Sequence, residues 1–176
     1  MGQSITRTQN AESTGTCFPY NYPEIEIKYQ VREVSLRYDA SGLANDGLYI
    51  RSSQSAMELI YGLWNKDNIG LVEEFKVLLL NRANRVLGIH TLSRGSSNAC
   101  IVDRKLLFVT ALKANASAVI VAHNHPSNNV KPSTADEKLT KELVAGGELL
   151  GISVLDHIIV TPTPENYFSF SDNAML

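Results

Sequence analysis

Residues Ser117–Asp136 read SAVIVAHNHPSNNVKPSTAD, and the fold turns on how they are parsed. SAVIVA is a short, continuous apolar run, the pattern of a strand buried on both faces. It ends directly at His123, and Pro126 then redirects the chain. Ser133 heads a segment with apolar Leu139, Leu143, Leu149 and Leu150 and with Gly151 at its end, which predicts a helix. The stretch is therefore a strand, a polar loop and a helix in succession.

Working outward, VLDHIIV (Val154–Val160) reads as a further strand and YFSFSD as a last edge strand. Upstream, Asp103 is a fitting N-cap for a helix through DRKLLFVTALKANA, with Leu106, Leu107, Thr110, Ala111 and Ala114 along one side. Before that, EEFKVLLL and RVLGIHTLS are apolar runs joined by NRAN, which predicts a β-hairpin. The order β-β-α-β-α-β-β implies an α/β (α+β) fold, a mixed β-sheet with helices packed on it. Toward the N-terminus, Ser52–Asn65 spaces Met57, Ile60, Leu63 and Trp64 like one helix face. Glu24–Leu36 alternates in part like a strand, and Tyr38–Gly47 holds turn formers. The expected organisation is a polar tail over 1–22, an arm of strand and helix over 23–70, and a main domain over 71–176.

Composition bounds the function. A chain of 176 residues with 16 basic and 18 acidic side chains carries a net charge of −2, a poor footprint for gripping phosphate backbones. Nucleic acid is not expected as a primary ligand. Cys17 and Cys100 form no CxxC pair, which argues against a disulfide framework or a thiolate cluster. No apolar run approaches a membrane span and the N-terminal stretch lacks a signal-peptide core, so a cytoplasmic location without membrane contact is expected.

His123 and His125 stand at i, i+2, which in extended backbone puts both imidazoles on one side. Asp136, one turn into the following helix, is placed to add a carboxylate. Three such ligands plus a water make the arrangement of a catalytic zinc ion. The competing explanation is local: Ser133 and Asp136 are close to a capping box, and helix initiation alone would account for both. The two roles are compatible, and the residues alone leave the choice open. Hydrolysis would also need a general base. Glu73 shares the alternation of Phe75, Val77 and Leu79, whereas Glu74 shares that of Lys76; a carboxylate in line with an apolar face is the better desolvated base. His157 in LDHIIV reads as a core group or one standing behind the ligands, with Asp156 beside it a weaker candidate for that supporting place.

The pattern H-x-H-x7-S-x-x-D, here His123, His125, Ser133 and Asp136, resembles the JAMM signature of Jab/MPN metalloproteases. The flanking text EEFKVLLLNRANRVLG, ALKANASAVIVAHNHPS and LLGISVLDHIIV is similar to the RadC-like branch, over about Leu71 to Ser171. The resemblance implies an MPN/JAB-type fold with the layered architecture of cytidine deaminases. It implies Zn2+ on His123, His125 and Asp136, with Glu73 as general base and Glu74 as fallback. Ser133 would help to stabilise the oxyanion formed when water attacks an amide carbonyl. The implied activity is that of a zinc metallopeptidase or isopeptidase acting on a peptide or protein substrate. The alternatives are a non-catalytic MPN scaffold and a DNA-repair-associated protein. RadC-like proteins carry an N-terminal helix-hairpin-helix region, and residues 1–70 show no such pattern. Two look-alikes fall away: an HNH nuclease disperses its residues through a ββα motif, and a zinc deaminase needs H-x-E with P-C-x-x-C.

Overall fold

The computed structural model describes residues 47–96 and 101–176. The tail, the strand expected over Glu24–Leu36 and all but the end of the turn-rich stretch lie outside the described residues. The elements are α1 (Ser53–Gly62), β1 (Glu74–Leu80), β2 (Val86–Arg94), α2 (Arg104–Lys113), β3 (Ala118–Asn124), α3 (Thr134–Leu150), β4 (Ser153–Val160) and β5 (Phe168–Ser169). From β1 onward this is the order expected from periodicity, and the fold is a mixed α+β sheet flanked by helices. No helix among the described residues is long and apolar enough to cross a membrane.

The strand order is β2-β1-β3-β4-β5. Among the described strands only β3 and β4 run parallel, joined through α3; the other neighbours are antiparallel. β3 is thus central, and all seven of its residues are buried, as its unbroken apolar run requires.

Side-chain alternation sorts the core into two faces. One face gathers Leu78, Leu80, Ala118, Ile120, Ala122, Ile158 and Val160 against Ala56, Met57 and Ile60 of α1 and against Trp64. The other gathers Phe75, Val77, Leu79, Val119 and Val121 against Leu107 and Ala111 of α2 and Leu143 of α3. The helix expected in the N-terminal arm therefore packs directly on the sheet.

Helix phase departs from the sequence expectation at three places. Leu63 is 54% exposed, and Ala56 takes an inward position on α1 instead. On α2, Leu106 is 41% exposed while Phe108 packs against the core. On α3, Leu149 and Leu150 point outward and Leu143 alone among the four named leucines is fully buried. α3 ends as expected at Gly151, whose φ of 67° is the left-handed conformation that glycine adopts without strain. Four residues earlier, a Cβ on Gly147 would lie 2.3 Å from the Ile152 carbonyl oxygen, so that position admits only hydrogen.

Candidate metal centre

The alternation that buries Val119 and Val121 against α2 and α3 carries His123 to the same side, at the C-terminal end of β3. His125 follows two residues on, held in line by its N–H donating to the Val160 carbonyl at 2.9 Å. The rings meet at a centroid separation of 4.8 Å. α3 brings Asp136 to them: its Oδ1 lies 3.4 Å from His123 Nε2 and its Oδ2 3.9 Å from His125 Nε2. His123, His125 and Asp136 thus form a group with the spacing of a metal site.

The protonation of the two imidazoles follows from what stands behind them. His125 Nδ1 lies 2.6 Å from the Asn129 carbonyl, which can only accept, so Nδ1 carries a proton and the neutral ring leaves Nε2 free. His123 Nδ1 lies 2.8 Å from His157 Nε2, and His157 Nδ1 lies 2.6 Å from the Thr140 hydroxyl. That hydroxyl donates its one proton to the Asp136 carbonyl at 2.7 Å, so it accepts from His157 Nδ1. His157 Nε2 is then an acceptor, His123 Nδ1 the donor, and His123 Nε2 bare. With one proton on each ring, these contacts leave two unprotonated nitrogens facing each other at 2.9 Å beside a carboxylate. Such a donor set repels itself until a cation lies among its members. A tetrahedral zinc ion, with bonds of about 2.0–2.1 Å, sets its ligand atoms roughly 3.3 Å apart, close to the spacing of these atoms. The residues fit the ion that the sequence implies.

Burial reinforces the neutral imidazoles. His123 is pushed down to about 4 by burial, with Asp136 opposing and His125 adding to the shift. His157, fully enclosed, lies well below the ordinary histidine value for the same leading reason. Phe75 closes the site from β1, its ring parallel to His123 at 6.1 Å.

Ser133 caps α3: its hydroxyl accepts from Asp136 N at 3.2 Å, and its own N–H donates to Asp136 Oδ2 at 2.7 Å. The hydroxyl also donates to Asp136 Oδ2 at 2.6 Å. The cap leaves room for a ligand role, because the carboxylate sets Oδ2 toward the cap and Oδ1 toward His123.

The two glutamates have different surroundings. Glu74 is fully buried on the opposite face, with Lys76 Nζ at 2.9 Å and Arg94 Nε at 2.8 Å as ion-pair partners rather than aligned hydrogen bonds. Glu73 stands just before β1, its backbone paired with Gly95 and Ser96. Burial raises its carboxyl above the usual range, with His125 lowering it and Asp136 raising it further. Glu73 thus shares the electrostatic neighbourhood of the cluster, while Glu74 is spent on two cations.

Three contributors were not visible in the sequence as site residues. Asn124, the middle letter of HNH, points away from the histidines. It accepts from Glu74 N at 2.7 Å and donates to the carbonyls of Ile69 at 2.7 Å and Val72 at 2.8 Å, fixing the segment that carries Glu73. Thr140 and Phe75 are the others. Asp156 does not support the site: its carboxylate binds Ser169 Oγ and the N–H groups of Ser171 and His157, anchoring the C-terminal segment. A bulge opposite Val119/Ile120 allows that orientation. His90 is exposed on the edge strand β2, which β1 separates from β3.

Comparison with known proteins agrees with this architecture. The family model described as RadC-like JAB domain matches residues 50–175. A UPF0758 protein of Alkaliphilus metalliredigens is 37% identical over 163 residues, covering 87% of this chain and 69% of the relative. One from Alkaliphilus oremlandii is 42% identical over 162 residues, covering 86% and 69%. One from Flavobacterium johnsoniae is 43% identical over 103 residues, covering 58% of this chain and 44% of the relative. The chain thus spans between about two-fifths and two-thirds of the length of these curated relatives. With a matching model over most of its length, the chain belongs to the RadC-like JAB domain family.

Proposed function

We propose that this protein is a zinc-dependent hydrolase of the JAMM type, acting on an amide bond in a peptide or protein substrate. The observation that carries the reading is the convergence of the His123 and His125 Nε2 atoms, 2.9 Å apart, beside the Asp136 carboxylate. His123, His125 and Asp136 would hold the ion. Zinc bound there supplies a Lewis acid and brings the pKa of a water down to about 7.

The other steps belong to the chain. Glu73, its carboxyl raised by burial, takes the proton of the attacking water and returns it to the departing amine. The Ser133 hydroxyl, resting on Asp136 Oδ2, turns toward the oxyanion as it develops. Glu74 takes no part, because its charge is matched by Lys76 and Arg94.

The test is zinc content by elemental analysis in the wild type and in His123→Ala/His125→Ala. One equivalent in the wild type and none in the variant is expected. No zinc in the wild type, before or after titration, would sink the reading.

A further inference from the structure

We infer that Thr140 and His157 are positioning residues that hold His123 in a single tautomer, with Nε2 bare and aimed at Asp136. The inference deepens the metal-centre reading and rests on it for its purpose, though not for its geometry.

The direction of the chain is forced from one end. Thr140 has one hydroxyl proton, and the Asp136 carbonyl at 2.7 Å can only accept it. The His157 Nδ1 contact at 2.6 Å is therefore a donation to Thr140 Oγ1, and the His123 Nδ1 contact at 2.8 Å a donation to His157 Nε2. The His157 ring lies in an apolar slot, stacked on Phe170 at 4.7 Å and edge-on to Phe75 at 5.7 Å, and its two nitrogens meet Thr140 and His123 rather than a carboxylate. Thr140 and His157 are fully buried and His123 is 4% exposed, so water cannot substitute for a missing partner.

The circuit closes on itself. It begins at the Asp136 backbone, passes through Thr140 on the next helical turn, crosses to β4 at His157 and to β3 at His123, and ends facing the Asp136 side chain. One hydrogen-bond chain thus runs from the Asp136 backbone to His123 and decides which nitrogen of His123 is free.

Thr140→Val keeps the volume and removes the hydroxyl. The His157 Nδ1 proton then loses its acceptor and moves to Nε2, where it donates into His123 and drives the His123 proton onto the ligand nitrogen. The readout is the 15N imidazole spectrum of metal-free protein, with zinc affinity measured by chelator competition. The wild type is expected to show Nδ1–H on both His123 and His157. Thr140→Val should populate Nε2–H on His123 and weaken zinc binding by about 10–100-fold. Thr140→Ser, which keeps the hydroxyl, should restore both. A wild-type His123 protonated on Nε2 overturns the inference, whatever the variants do. So does a folded Thr140→Val with wild-type tautomers and wild-type affinity. Wild-type protein with the expected tautomers but no zinc uptake retracts the metal-centre reading and leaves the positioning chain standing.

Discussion

Replacing Asn124 with alanine should be among the most destabilising changes open to this chain, although the residue touches no ligand. Its side chain is fully buried and makes three hydrogen bonds of 2.7, 2.7 and 2.8 Å to the backbone of residues 69–74. Truncation leaves the Glu74 N–H and the carbonyls of Ile69 and Val72 without partners. Each buried orphan costs roughly 1–3 kcal/mol, and a water admitted to the space would recover part of that. The expected loss is about 3–5 kcal/mol, a large share of the ~5–15 kcal/mol that holds a domain together. The assay is urea denaturation of metal-free protein followed by circular dichroism, comparing midpoints at equal slope. Because the histidines occupy the other face of β3, zinc affinity should change only a few-fold, while turnover falls as Glu73 loses its fixed place. A loss of stability below about 1 kcal/mol would refute the reasoning, since three buried bonds cannot be worth so little without full rescue by solvent.

The remaining predictions concern charge. Glu73→Gln should retain zinc and reduce hydrolysis by at least about 10²-fold, the usual contribution of a general base. Glu74→Gln should instead cost roughly 2–3 kcal/mol by stranding the buried Lys76 beside an exposed Arg94, with turnover preserved in the folded fraction. The reverse pattern would move the base to Glu74. Metal-free protein should lose stability as pH falls from about 6.5 toward 4. The sign follows from His123, whose folded pKa is depressed to about 4: its contribution is complete above the unfolded value of 6.5 and disappears as pH drops through the folded one. That shift amounts to about 3 kcal/mol, and His157 acts in the same direction. Glu73 and Asp156, both raised, act oppositely and reduce the net change. Thermal melts that stay flat between pH 7 and 4.5 would contradict this.

Element order was legible because strands and helices impose different periods, and each run here keeps one of them. Helix rotation was less so. α2 carries apolar letters on several sides, and only the sheet beneath decides that Phe108 packs inward while Leu106 faces out. The metal cluster could be anticipated because its three members lie in a single strand-loop-helix passage. The choice between Glu73 and Glu74 could not be closed, since it depends on Arg94 and Lys76 neutralising one of them. Asn124 and Thr140 were silent for the same reason: their partners, Glu74 and His157, are 50 and 17 positions away, and no local pattern marks them.

That difference in range has a consequence for how the protein matures. His123, His125 and Asp136 are brought together by β3, one loop and the start of α3, a segment that closes cheaply in entropy. Glu73 arrives only when β1 has paired with β3 and the Asn124 bonds have formed across a separation of 50 residues. A folding chain would therefore complete its ion-binding half before its base is in position. Cation capture would precede catalytic competence, and a half-folded molecule could hold an ion without cutting anything. On the proposed function, hydrolytic chemistry would then be switched on only by long-range sheet formation.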